Sequence, residues 1–370
     1  MKGDNIIIGI VASLIIALLI ISGCSTQTGK AIRGNEDNIV KIGVIVPLTG
    51  DASQFGEAYT KAVKIVEKEY ADKNTYFTYK FIFEDDQLEN AKTVTAFHKL
   101  NDIDGINALV TFSSGTSNAI APLAEQSKIV TCGAVSDPNV VKDKKYIFKH
   151  WVTPEVEAAK YVEEAKSRGF KTIGIIITNQ QGIVVTAEAV KKAAQGMVIF
   201  EDVVEPTIDD FRTVILKAQS SNPDTILVQL FPGQLSGFMR QAQELGYKGD
   251  ISSVESFEFE QDALPYLEGK WYVNSGDAAG AFKQEYEAEF NSNPLYASGN
   301  AYDCMKLLIQ SYEFAKSKNP DSIVEQLHQV KDYEGAMGTL YVDSSNSIQS
   351  EAAVKEIRNG QFVVVDDKEG

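Results

Sequence analysis

The chain has little of what metal centres and nucleophilic enzymes most often use: three cysteines and three histidines in 370 residues. His98, His150 and His328 are scattered, and none stands at metal-ligand spacing with Cys, Asp or Glu. They read as ordinary surface or core histidines. Three cysteines far apart make no disulfide framework; Cys132 and Cys304 either bridge in an exported protein or stay as buried thiols. Positive charge is also short, with 35 Lys and Arg against 51 Asp and Glu and a net charge of −16. That balance argues against nucleic acid, which needs basic patches. Phosphate-binding glycine loops are missing as well. The stretch "GVIVPLTGD" (43–51) lacks the second and third closely spaced glycines of a dinucleotide fingerprint, and no P-loop occurs. The neighbouring carboxylates of "EDDQ" (84–87) stand at a strand end and read as a solvated turn. No catalytic set emerges, so no enzyme, cofactor or metal is expected.

What is present is ordinary globular material, 44% hydrophobic and 23% charged, in a chain long enough for two domains. Its start is different in kind. Lys2 precedes an uncharged run, "NIIIGIVASLIIALLIISG" (5–23), and then Cys24. A short cationic start and an apolar core describe a secretory signal. "ISGC" (21–24) looks like a lipobox, which implies a signal peptide over 1–23, lipidation of Cys24 and a flexible tether over 24–38. The competing expectation is an uncleaved transmembrane anchor, for which the run is long enough. Both readings put the rest of the chain outside the cytoplasm.

From Ile39 onward, apolar strand-like runs alternate with helix-period segments, which implies an α/β fold with doubly wound parallel sheets. The rhythm restarts after "KYIFKHWVT" (145–153), so two such units are expected. In the first, "VTFSSGTSNAI" (110–120) reads as a strand end, a tight turn and a helix N-terminus. Its hydroxyls suit helix capping, and its free backbone N–H groups also suit an anion such as a carboxylate.

The segments taken in order resemble the type I extracytoplasmic (periplasmic) solute-binding proteins of ABC importers, in the branch for branched-chain amino acids and amides. The pieces are "VKIGVIVPLTGDASQFGEA", "FEDDQLENAKTV", "VTFSSGTSNAIAPLAEQSKI", "GAVSDP", "DFRTVILKAQSSNPDTILV", "FMRQAQELGYKG", "YASGNAYDCMKLLIQSYEFA" and "EIRNGQFVVV". The resemblance implies two doubly wound lobes joined by three crossovers, with 39–150 plus 277–336 in the first and 151–276 plus 337–370 in the second. Ligand is then held in the cleft between them. It implies that Ser114 binds a ligand carboxylate, with Thr116 and Ser117 in the same turn. Ala134 meets the ligand through its backbone, and Ser136 stands where a threonine usually holds both ends of a zwitterion. Glu255, in "SSVES", matches the acid that takes the ammonium, and Phe55 and Phe231 match aromatic cleft walls. Glu258 and Glu260, close by, read as solvated.

Two departures bear on specificity. Gln181 stands before Gly182 where a tyrosine is common, and Glu157 and Ala158 replace the usual Gln-Gly of the preceding helix. The resemblance implies that the amine and carboxylate contacts are retained, while a polar amino acid, an amide or a short peptide is nearly as plausible as leucine, isoleucine or valine. The expected protein is a monomer anchored to the membrane by lipid and partnered by permease subunits. The alternatives are a ligand-sensing lobe of a signalling system and an exported serine hydrolase with Ser114 as nucleophile and His98 as base.

Overall fold

The computed structural model describes residues 36–365. The expected signal peptide, Cys24 and the expected tether up to residue 35 lie outside the described residues, whereas Glu36–Asn38 form a short 3-10 turn. Among the described residues, no helix is long and apolar enough to cross a membrane.

The first lobe is built on β1 (Ile39–Val46), α1 (Ser53–Ala71), β2 (Thr78–Asp85), α2 (Asn90–His98), β3 (Ala108–Phe112), α3 (Ser114–Ser127), β4 (Val130–Ala134) and β5 (Ile147–His150). The second takes α4 (Pro154–Ser167), β6 (Ile173–Thr178), α5 (Gln181–Ala194), β7 (Val198–Val204), α6 (Arg212–Ser221), β8 (Thr225–Gln229), α7 (Leu235–Glu244), β9 (Asp250–Val254) and β10 (Trp271–Ser275). The chain then returns for α8 (Gly280–Phe290), α9 (Ser298–Ala315), α10 (Pro320–Leu327), β11 (Tyr333–Gly335), β12 (Gly338–Val342) and β13 (Ser347–Gln349). It ends on β14 (Ala352–Arg358) and β15 (Gln361–Val364).

Two sheets result, ordered β11-β12-β13-β5-β4-β3-β1-β2 and β15-β14-β10-β9-β8-β6-β7. Their centres are parallel, as the alternating pattern requires, and antiparallel pairs occur among β11 to β13 and beside β14. Every residue of β3, β4 and β6 is buried, because helices cover both faces of a parallel sheet. Each lobe accordingly has an apolar core on each side of its sheet. In α1 the buried Phe55, Tyr59, Ala62 and Val66 recur at helical spacing and face the sheet.

One expectation is corrected by the fold and one open alternative is decided by it. The chain crosses between lobes at 151–153 and 276–279, but its third crossing follows Gln349 rather than the expected boundary at 336/337, which falls in the glycine-bearing stretch 335–340. That stretch is the turn of the β11–β12 hairpin, closed at Gly335↔Gly338, where Gly338 takes a φ of +89° that a β-carbon would strain. β13 then joins the first sheet beside β5, pinned by Asn346 Nδ2, which donates to the carbonyls of Lys144 and Ile147 at 3.0 and 3.1 Å. Residues 338–349 therefore belong to the first lobe. Second, the cysteine alternative resolves as a bridge: Cys132 of β4 is joined to Cys304 of α9, with Cα atoms 5.6 Å apart.

Candidate ligand-binding site

The turns after β3 and β4 lie at the carboxyl ends of adjacent parallel strands, where open α/β sheets bind ligands. They open into a cleft between the lobes. The first lobe contributes Phe55, Leu88, Phe112, Ser113, Ser114, Ala134, Ser136 and Tyr296. From the second come Gln180, Gly182, Ile183, Phe231, Pro232, Glu255 and Phe259, with Trp151 from the first crossing. Six of the nine residues expected at the site are thus brought together: Phe55, Ser114, Ala134, Ser136, Phe231 and Glu255.

Three are not. An α-helix turns by about 100° per residue, so only the first residues of α3 can look into the cleft. Thr116 and Ser117 point back to the sheet, where Thr116 Oγ1 donates to the Phe112 carbonyl at 2.8 Å and Ser117 Oγ to Thr111 Oγ1 at 2.9 Å. Gln181 leaves the cleft to its neighbour Gln180 and donates instead to Asp137 Oδ2 at 2.7 Å.

Ser113 has a φ of +74° and does not cap α3 through its side chain. Its hydroxyl accepts from Gln180 Nε2 at 3.3 Å, a bond that crosses the cleft. Ser114 Oγ lies 3.3 Å from Ser136 Oγ and accepts from the Asp137 N–H at 3.2 Å. Opposite them stands Gly182, where a β-carbon would come within 2.8 Å of Ser114 Oγ and 2.9 Å of Ser136 Oγ. Only a glycine lets α5 approach the hydroxyl turns this closely. Gln54 adds another link between the lobes by donating to the Phe259 carbonyl.

The remaining walls are aromatic. Phe55 packs on Phe112 at 4.4 Å between ring centroids and on Tyr296 at 5.7 Å, and Tyr296 in turn meets Phe259 at 5.2 Å and Trp151 at 5.3 Å. Trp151, Phe259, Tyr296, Ser113 and Gln180 were not anticipated as site residues. Trp151 had a signal in its position directly after the strand that ends the first unit. For Phe259, the three glutamates of "ESFEFE" masked a buried ring.

Glu255 is the acid of this cleft, and no Lys or Arg lines it. Its backbone adopts φ 62° and ψ −50°, close to a γ-turn that is rare for residues with a side chain. The Glu255 N–H donates to the Val273 carbonyl at 2.8 Å, which ties this conformation to β10. Trp151 Nε1 donates to one carboxyl oxygen at 2.5 Å, and Gln229 Nε2 approaches the other at 3.4 Å. Burial pushes the carboxyl up to about 7 even though the bond from Trp151 and the charge of Lys149 work the other way. Behind it, Glu157 of α4 is raised well above the usual range, first by burial and then by the Glu255 charge. Lys149 is pushed down to about 8 by burial, against the pull of Glu157, Glu155, Glu255 and Asp343.

The other two acids near Glu255 are structural rather than solvated. Glu258 Oε1 accepts from Tyr272 Oη at 2.9 Å, Asn274 Nδ2 at 2.9 Å and Lys355 Nζ at 2.8 Å. Glu260 receives the N–H groups of Gly233 and Leu235 at 3.1 and 3.0 Å, at the start of α7. In "EDDQ", Asp85 is the turn acceptor expected, but Asp86 is buried and accepts from Thr93 Oγ1 at 3.1 Å.

Nothing here assembles a serine hydrolase. Ser114 is engaged by Ser136 and Asp137, while His98 is exposed and pairs with Asp102 at 3.1 Å. Among the described residues, no group of three or more His, Cys, Asp or Glu is placed to hold a metal ion.

A sequence profile described as "Periplasmic binding protein" matches residues 39–361. The chain belongs to the periplasmic binding protein family. That family is made up of solute-binding proteins. The chain is 22% identical to the Leu/Ile/Val-binding protein homolog 8 of Brucella abortus, over 88% of this chain and 90% of that one. Its fold is similar to that of a leucine-binding protein from Thermotoga maritima, with a TM-score of 0.83 and 22% identity over 88% of this chain and 97% of the other. It is also similar to a solute-binding protein of an ABC transporter from Rhodopseudomonas palustris, solved with 3,4-dihydroxybenzoic acid, at a TM-score of 0.79 and 20% identity over 89% and 96% of the chains.

Proposed function

We propose that the protein is an extracytoplasmic receptor that closes on an amino acid-like solute and delivers it to an ABC importer. One observation carries this reading: hydroxyls at strand ends of the first lobe face a buried carboxyl of the second across an aromatic-walled cleft. Ser114, Ser136 and the Ala134 backbone hold the ligand carboxylate, Glu255 takes the ammonium, and Phe55 and Phe231 flank the side chain. A cation left unpaired in such a place is costly, and a charge-assisted bond recovers part of its desolvation. Lipidated Cys24 tethers the receptor to the membrane; mass spectrometry of membrane-extracted protein checks this, and an intact Met1 argues for a transmembrane anchor instead.

The aromatic walls support a second reading, an aromatic carboxylate, which is also the kind of ligand found with the Rhodopseudomonas protein. A thermal-shift screen of the mature chain against amino acids, amides, short peptides, aromatic carboxylates and sugars separates the two. A ligand at 100 times its dissociation constant stabilises the protein by about 2.7 kcal/mol. Shifts with amino acids or amides support the first reading and shifts with benzoates alone the second. Shifts with sugars alone refute both.

A further inference from the structure

Glu157 is fully buried in the first turn of α4, and neither of its carboxyl oxygens meets a hydrogen-bond donor. What faces it is another acceptor, the Glu255 carboxyl. Two ionised carboxyls cannot bond to each other; one proton between them makes one a donor and satisfies the pair.

The charges packed around the pair lead to the same count. From β5, Lys149 sends one buried ammonium, anchored to the carbonyls of Val135 and Trp151 at 3.4 and 3.3 Å. Glu155 and Asp343 act on that lysine from α4 and from the loop after β12. Glu258 acts on Glu255 from the following turn, and its own charge is answered by Lys355. Tyr296 faces both acids from the loop before α9, and its phenol is held neutral by burial and by the nearby carboxylates. One lysine is therefore set against two carboxyls, one positive charge short of balance.

We propose that Glu157 and Glu255 hold one proton between them in the ligand-free protein, and that the ammonium of a primary-amine ligand takes its place while the proton leaves to solvent. Glu255 touches the ligand; Glu157 is a positioning residue that acts through it. The exchange selects a chemical class. Amine-bearing ligands lose affinity as pH falls below the proton's titration, by about tenfold per pH unit for a one-proton linkage. Carboxylic acids without an amine leave the proton in place and keep their affinity in acid.

The ligand half of this inference rests on the amino acid reading above, and the ligand-free half does not. The deciding measurement is therefore made on the full mature chain without ligand, carrying carbon-13 in its glutamate carboxyls, by NMR from about pH 5 to pH 9, well above the ordinary glutamate value near 4.3. One carboxyl step in the neutral range is expected, and it should be absent from Glu157→Gln and from Glu255→Gln. A wild type whose carboxyls all finish titrating in the acid range overturns the shared proton, as does a neutral step that survives unchanged in Glu157→Gln. If Glu157→Gln fails to fold, the wild-type titration and Glu255→Gln decide. Calorimetry with L-leucine and L-phenylalanine in phosphate and in Tris then reads the exchange. About one proton released per ligand bound at a pH one unit or more below that carboxyl step supports it, and binding there with none released overturns it. Failure of both amino acids to bind counts against the amino acid reading, while the ligand-free titration still decides the proton.

Discussion

Replacing Glu258 by alanine should damage the fold of the second lobe and leave the chemistry of the cleft in place. Glu258 is the shared acceptor of Tyr272, Asn274 and Lys355. Lys355 is buried, and its other partner, Asp277 at 2.7 Å, has a side chain 49% exposed. Removing one member of a buried ion pair costs roughly 3 to 5 kcal/mol, chiefly from the charge left behind. Asp277 keeps part of that charge paired, which points to the low end, while two orphaned donors add about 1 kcal/mol each. The expected loss is therefore about 3 to 5 kcal/mol. By the scaling for domains of 150 to 250 residues, that lowers Tm by roughly 6 to 20 °C. Urea and thermal melts followed by circular dichroism measure it. A loss below about 1 kcal/mol, the range of an exposed pair, would refute the structural role. The same lysine has a pH signature: burial works to lower it, but Glu258 and Asp277 together hold it above its ordinary value. Its contribution is thus complete at neutral pH and fades only as pH rises through its folded value, on the alkaline side of an ordinary lysine.

Cys132→Ala with Cys304→Ala, or reduction of the wild type, should destabilise the first lobe by up to about 5 kcal/mol, since the bridge closes a sequence separation of 172 residues; an unchanged urea midpoint under reductant would contradict the bridge. Gly182→Ala should weaken ligand binding and leave stability within about 1 kcal/mol, because the added methyl meets two hydroxyls across the cleft rather than a packed core; unaltered affinity would show that α5 does not approach the turns in the bound state.

The alternation of apolar runs and helix-period segments carried the fold, because parallel strands buried on both faces, such as "ALVTF" and "IGIIIT", declare themselves by composition alone. The hydroxyl turn at Ser114 was legible for a related reason: strand end, small residues and helix start are all local signals. What was not legible depends on distant partners. Glu255, Glu258 and Glu260 sit in one acid-rich stretch and look alike in sequence. Lys355, Tyr272 and the N–H groups of α7 turn the last two into structural acids, whereas Glu157 and Trp151 turn the first into the acid of the cleft. Thr116 and Ser117 were misplaced because a hydroxyl-rich turn was read without the helical rotation that carries them to the sheet. The lobe boundary at 336/337 was misplaced because glycine marks hairpin turns and hinges alike, and only the pairing of β13 with β5 separates them.

The central claim is that one ligand spans the cleft from the Ser114 hydroxyl to the Glu255 carboxyl. Titration calorimetry on Ser114→Ala and Glu255→Ala, with the amino acid or amide that gives the largest thermal shift and with folding checked by circular dichroism, tests it most directly. Glu255→Ala should weaken binding by roughly 2 to 5 kcal/mol, as for truncation of one partner of a buried charge pair, which is about thirty-fold to several thousand-fold in Kd. Ser114→Ala should cost about 1 to 3 kcal/mol through the lost bond to a charged carboxylate. Folded variants that both bind within about twofold of the wild type, a difference under 0.5 kcal/mol, would contradict the account.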